Sequence, residues 1–416
     1  VVSKVILVLR VDPADRRAFS CLRGLKAIIY QFDRVNIFRF SLCIWGIFFF
    51  LSRSENALRC GVAAAHRILP EESASSEQMV ADTTSSDRNA VEHPKQTSVA
   101  RIEWQTVLLA GVIYSGFIAI TWFWNSLPLV LVVVVGGWLV AWHGSLQHEV
   151  IHGHPTRNQA INDAIGWPPL SLWLPYRIYR QAHLVHHRDE HLTDPIEDPE
   201  SSYFTQAAWD RLGSVGKLVA SWNMTLLGRL LIGPFVMIAS FLAQEAAAIV
   251  SGNREKALIW LKHGLAVAAL LVWVMVVCKM PFWLYAFGFV YVGAALTRLR
   301  SYAEHRYADH HDERTAIVEN SPLFGLLFLY NNLHVLHHLR PGIPWYRIPR
   351  LYRRDRNLLV SMNGGLVYDG YLDVARRYLL SPHDDPRHPQ HSHPGALAVS
   401  QDEDVTSTGQ AQLNGA

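Results

Sequence analysis

Residues 104–148 read WQTVLLAGVIYSGFIAITWFWNSLPLVLVVVVGGWLVAWHGSLQH, 45 positions between Glu103 and Glu149 without one Asp, Glu, Lys or Arg. A membrane crossing takes about 20 apolar residues, so this run supplies two, folded about the turn "NSLP" at 125–128. So short a turn makes the pair an antiparallel helical hairpin. A second apolar region, Leu258 to Thr297, is interrupted by Lys262 and Lys279 and has room for another pair joined by "CKMP". The expected spans are 104–124, 127–147, 258–278 and 280–299.

Composition agrees with this reading. Half of the 416 residues are apolar and 18% are charged, which excludes an ordinary soluble protein. The net charge is +3, and the arginines gather beside the apolar runs, so there is no nucleic-acid footprint. Four cysteines (Cys21, Cys43, Cys60, Cys278) form no C-x-x-C pair, which argues against a disulfide framework, a zinc knuckle or an iron–sulfur site.

Arg177, Arg180, Arg188, Arg298, Arg300 and Arg306 follow the second and fourth spans, whereas the tight linkers carry only Lys279. The positive-inside tendency therefore puts the linkers outside and residues 148–257, with everything after 300, in the cytoplasm. The stretch "LLIGPFVMIASFLAQEAAAIV" (230–250) is also long enough to cross. Basic residues flank both its ends and it contains Gln244 and Glu245, so it reads as interfacial or re-entrant. The expected fold class is all-α integral membrane: four transmembrane helices in two hairpins, interfacial helices and a cytoplasmic helical cap. Three regions are expected: an N-terminal extension (1–100), disordered or an over-extended start; a membrane-embedded catalytic domain (101–380); and a disordered polar tail (381–416).

Histidine is the compositional outlier, with 21 copies. His148 and His152 begin where the second span ends, in "HEVIH"; "HLVHH" gives His183, His186 and His187; "HVLHH" gives His334, His337 and His338. Positions three and four apart share one helix face, so each group can aim its rings at one point. Eight phased imidazoles exceed what one ion accepts, and two ions are implied; imidazole alone does not name the metal. His305, just past the fourth span, is a ninth candidate. His143 and His154 are out of phase and read as supporting residues, His310 and His311 as solvated, and the tail histidines from His383 to His393 as compositional. Asn331, Asn332, Asp194 and Asp198 are candidates to accept ring N–H groups of the ligands.

These motifs resemble those of the membrane fatty acid desaturase superfamily, which also holds related hydroxylases and carotenoid ketolases. The resemblance runs over about residues 104–360 and rests on "HEVIH", on "HLVHH" followed by "DEHLTDPIEDPES", and on "NNLHVLHHLRPGIPWYRIP". It implies two ferrous ions, with dioxygen as co-substrate. They would be bound by His148, His152, His183, His186, His187, His334, His337 and His338, the catalytic set, with His305 joining them. One departure is Glu149, where desaturases more often carry Asp and the hydroxylase branch tolerates Glu.

The expected activity is O2-dependent desaturation of a fatty acid or lipid acyl chain, in a multi-pass protein of a bacterial inner membrane. No Gly-rich dinucleotide fingerprint, cysteine cluster or haem-attachment motif is visible, so an external donor of the ferredoxin or cytochrome b5 type is expected. An alternative on the same site is hydroxylation or ketolation of a carotenoid or alkane. A rival is an intramembrane zinc protease using His148, His152 and Asp369, with Glu149 as base; it leaves six histidines without a role. A metal carrier or haem-binding membrane protein is a third reading, although a carrier would place polar ligands at mid-membrane.

Overall fold

The computed structural model describes residues 102–187 and 191–391. The expectations placed on residues 1–100 and on the tail beyond 391 lie outside them.

The uncharged run forms α1 (Trp104–Phe123) and α2 (Leu129–Ile151), as a hairpin. Helix α2 continues one turn past the expected end at 147, because His148 to Ile151 are buried and stay helical. Next come α3 (Gln159–Gly166), α4 (Tyr176–His186), α5 (Gln206–Arg211), α6 (Ser214–Asn223), α7 (Leu226–Leu231), α8 (Gly233–Val250) and α9 (Arg254–Leu271). Helix α9 is prolonged to Val277 by a π-helical segment. A second π segment, Leu284–Tyr291, runs directly into α10 (Val292–Glu304). The cap holds α11 (Pro322–Leu327), α12 (His334–Leu339), α13 (Ile348–Met362) and α14 (Gly370–Tyr378). Strands β1 (Ile317–Val318) and β2 (Val367–Tyr368) pair in parallel, a small exception to an otherwise helical chain.

The two hairpins are tied to each other at their turns. At the turn end, Trp124 Nε1 donates to the Cys278 carbonyl at 2.9 Å and Trp273 Nε1 to Thr121 Oγ1 at 3.1 Å. At the other end of α9, Glu255 binds Arg177 of α4 at 2.7 Å. Between them, glycines let the backbones of α2 and α10 approach, the small-residue device that helices in lipid use for want of a hydrophobic driving force. A Cβ at Gly137 would lie 2.3 Å from Val292 Cγ1, and one at Gly293 2.7 Å from Val140 Cγ1.

Four described helices are long and apolar enough to cross a membrane: Trp104–Ser126, Leu129–Ile151, Gly233–Val250 and Arg254–Val277. The chain has an all-α integral membrane fold. The set differs from the sequence expectation in two ways. The fourth expected span, 280–299, becomes Leu284–Glu304, divided into π and α parts. Helix α8, read as interfacial, has the length and composition of a span. Side-chain contacts tether it near both ends. Glu245 binds Lys256 at 2.5 Å and Trp260 Nε1 at 3.0 Å in the first turns of α9, while Arg229, just before α8, is held by the Asn223 carbonyl and Ser202. These contacts fasten α8 to α9 and to the residues around α6 and α7.

The end of α3 and the irregular stretch after it, residues 165–172 ("IGWPPLSL"), insert among the spans. One polar side chain from each of four helical runs donates to its carbonyls. The Tyr114 hydroxyl meets Ile165, Gln147 Nε2 meets Gly166 at 2.8 Å, the Tyr285 hydroxyl meets Leu170 at 2.7 Å, and His263 Nε2 meets Leu172 at 2.7 Å. Irregular backbone at this depth persists only when protein replaces water as its partner.

The tail departs from expectation. Residues 382–391 pack on the cap instead of leaving it. Phe204 N–H donates to the Pro386 carbonyl at 2.8 Å, and His388 N–H to the Phe204 carbonyl at 2.9 Å. His383 and His388 are buried, so these two are structural and not compositional. Proline and charge patterning concealed this, because the partners lie some 180 residues away in sequence (|i−j| 181 for Tyr203 with Asp384).

Candidate metal centre

Box one is the end of α2, with His148 in the last turn and His152 as C-cap. Box two closes α4, with His187 as its C-cap. Box three is α12 itself. His305 caps the end of α10 in extended backbone, which turns its ring back toward the other boxes.

Nine imidazoles converge as two adjoining groups. His148, His152, His183, His187 and His337 bring one nitrogen each to within 4.8 Å of one another, and so do His186, His305, His334 and His338. Helix α4 serves both groups: His183 and His187, one turn apart, point to the first, and His186 to the second. Helix α12 does the converse, giving His337 to the first and His334 and His338 to the second. The groups touch, since the His187 and His338 rings stack at 4.4 Å between centroids.

The donor set fits a pair of metal ions. Nε2 of His183 lies 3.0 Å from Nε2 of His152 and of His187, and His337 Nε2 lies 3.0 Å from His187 Nε2. In the second group the Nε2 spacings are 3.1 Å (His186–His305), 2.9 Å (His305–His334) and 3.1 Å (His334–His338). Two nitrogens at about 2.1 Å from one ion and at right angles are about 3.0 Å apart. Four of the nine Nδ1 atoms are shown with partners. His186 Nδ1 donates to Asp198 at 2.9 Å, His183 Nδ1 to Glu200 at 2.9 Å, His305 Nδ1 to the Arg314 carbonyl at 3.3 Å and His334 Nδ1 to the Asn331 carbonyl at 3.2 Å. With that proton committed, each neutral ring presents a lone pair at Nε2, and lone pairs face one another across about 3 Å unless a cation lies between them. His148 Nε2 is buried without any hydrogen-bond partner, as a ligand atom would be.

Electrostatics favour the neutral form at most of these rings; at His186 burial works the same way, but the Glu200 and Asp198 carboxylates outweigh it and raise the ring to about 9. Burial, reinforced by the charge that His183 and His186 would carry, pulls His187 down to about 3. Burial likewise holds His337 and His338 well below the ordinary imidazole value, with neighbouring histidines adding to the effect.

Of the supporting residues read from sequence, Asp198 and Asn331 do meet ligand rings. Asp194 instead binds His391 at 2.7 Å, and Asn332 Nδ2 donates to the Val318 carbonyl. Two partners were missed. Glu200 holds His183, and Glu304, paired with Arg300 at 3.1 Å, accepts from Asn331 Nδ2 at 3.0 Å beside His334. Glu304 directly precedes a candidate ligand, as Glu149 directly follows one, and that adjacency was the available signal. His143 bonds the Tyr114 hydroxyl at 3.1 Å and His154 Nδ1 bonds Glu103 at 2.9 Å; neither joins the two groups. His310 and His311 are exposed, as expected.

The zinc-protease reading fails on geometry. Glu149 Oε1 accepts the Trp345 backbone N–H at 2.9 Å, a tie from box one to the segment after box three rather than a base beside a metal. Asp369 is exposed and bonded to Asn320.

Two adjoining all-imidazole groups at the end of an apolar helical bundle have the donor set of a membrane-bound dinuclear metal site. The family comparison narrows this: the model described as fatty acid desaturase matches residues 122–369. That is more than half of the chain, which belongs to the fatty acid desaturase family. No curated protein matches it. Membership carries a desaturase-like or related di-iron oxidase activity in general, and with it the use of two irons.

Proposed function

We propose that the chain is an O2-dependent desaturase that introduces a C=C bond into the acyl chain of a fatty acid or lipid. The observation that carries it is the pair of adjoining imidazole groups, five and four rings, at the mouth of the bundle. Two ferrous ions bound there supply the reduction of dioxygen to an oxidant able to take hydrogen from an unactivated C–H bond. His148, His152, His183, His187 and His337 would hold one, and His186, His305, His334 and His338 the other.

The chain's own contribution is placement and exclusion. Asp198, Glu200, Asn331 and the Arg314 carbonyl fix ring orientation and tautomer. The buried boxes keep the site dry, and a site on three helix ends is more rigid than one on loops. The apolar spans let an acyl chain approach from the bilayer while its polar head stays at the surface. The arginines beside α4 and α10 support a cytoplasmic site, and reducing equivalents come from a separate one-electron donor.

Expression in a host lacking the activity, followed by lipid analysis, tests the reading. A new double bond at a fixed carbon supports it. An added oxygen on a chain or ring would move the assignment to hydroxylation on the same centre, and unchanged lipids with a fully loaded site would overturn the acyl substrate.

A further inference from the structure

Box three lies under α13. Ile348, Tyr352 and Leu359 of α13 bury against Val335 and Leu336 of α12, whose three histidines are candidate ligands. One helix-packing distance, about 8–10 Å, therefore separates the axis of α13 from the helix that carries His334, His337 and His338.

The outward side of α13 is basic. Residues 347–362 contain five arginines and one aspartate, and all five arginines are exposed. Arg356 is bound to Glu319 at 2.5 Å and Arg354 to Asp355 at 2.7 Å. Among the described residues, no carboxylate lies within ion-pair reach of Arg350 or Arg353. This face is not built for a bilayer. A helix that lies on lipid buries its apolar side in the membrane, whereas the apolar side of α13 is already used against box three.

The geometry points to the arginine face of α13, centred on Arg350 and Arg353, as the docking surface for an acidic one-electron carrier protein that reduces the centre. This inference rests on the di-iron reading. Desaturation takes four electrons and four protons into O2 to give two waters. The two adjacent C–H bonds of the substrate supply two of each, and the carrier supplies two electrons in single steps, with two protons from solvent. A basic patch meeting an acidic one raises the encounter rate and fixes orientation, and both effects weaken with salt.

The test uses the full-length iron-loaded protein with substrate and two acidic carriers, a reduced [2Fe–2S] ferredoxin and reduced cytochrome b5. Turnover is measured against carrier concentration and ionic strength. Arg350→Glu/Arg353→Glu is expected to raise the half-saturating concentration of the productive carrier by about tenfold or more and to flatten its salt dependence. Iron content, and single turnover after anaerobic reduction by dithionite, are expected to stay unchanged. Arg350→Gln/Arg353→Gln, which removes charge without reversing it, should lie between, and serves if the double reversal impairs folding. Unchanged half-saturation and salt dependence would overturn the docking surface. So would failure of both carriers while dithionite-reduced protein turns over, or variants that lose only binding to anionic vesicles. If dithionite-reduced wild type does not react with O2, the di-iron reading itself falls, a result separate from any effect at Arg350 or Arg353.

Discussion

Nδ1 of His186 donates to Oδ1 of Asp198 at 2.9 Å, with both side chains almost wholly enclosed. The bond fixes which ring nitrogen faces His305 and keeps the imidazole basic. Removing such a partner from a ligand typically weakens metal binding about 10–100-fold. Asp198→Ala is expected to lose iron on dialysis against a weak chelator within that range, and Asp198→Asn, which keeps an acceptor, to lose less. Iron analysis after dialysis gives the comparison.

Glu149 makes the sharpest contrast with protease chemistry. Its carboxylate holds the Trp345 amide and faces His154 Nε2 at 4.0 Å. Glu149→Gln retains an acceptor for that amide, so iron content should be unchanged and turnover should fall by less than about tenfold. Loss of a general base would cost about 10²–10⁴-fold. Turnover assays on the iron-loaded variant separate the two.

Acid should empty the site. His187 is held near 3 by burial and by its neighbours, against an ordinary imidazole value near 6.5. A histidine depressed in this way stays neutral in the fold while the unfolded chain takes up protons. Its stabilising share is complete above about 6.5 and is lost as pH falls toward 3. Protons also compete directly for the ligand nitrogens. Iron retention followed from pH 7.5 downward should fall through this window, and retention undiminished at pH 4 would contradict the assignment.

The ordered end of the chain has its own test. His391 binds Asp194 at 2.7 Å and lies outside both imidazole groups. His391→Ala is expected to keep full iron and activity and to lower stability by about 1 kcal/mol, the usual worth of one hydrogen bond, read as a small shift in thermal unfolding.

The inserted segment 165–172 should be more sensitive. Tyr285→Phe leaves the buried Leu170 carbonyl without its donor, an omission that costs about 1–3 kcal/mol. Thermal unfolding in detergent should show a larger drop than for His391→Ala.

Much of this architecture was legible in the chain. The uncharged run 104–148 announces α1 and α2, because in lipid a helix satisfies its backbone groups within the segment itself. The three boxes announce themselves by three- and four-residue spacing, which places His183 with His187 and His334 with His338 on common faces. What sequence did not reveal depends on distant partners. Glu200 reaches His183 only because the loop after box two folds back, while Asp194, an equally plausible acid, turns away to His391. The four donors that anchor residues 165–172 come from four separate helical runs, and no local pattern relates Tyr114 to Ile165 or Tyr285 to Leu170. The length of α8 is plain from composition, but the contacts of Arg229 and Glu245 that tether it are not.

Metal content of the purified full-length chain tests the central claim most directly. Two irons per chain are expected, with His337→Ala and His338→Ala each emptying the group to which that ring belongs and abolishing turnover. A single zinc per chain, or full iron and activity in the His337→Ala protein, would contradict it.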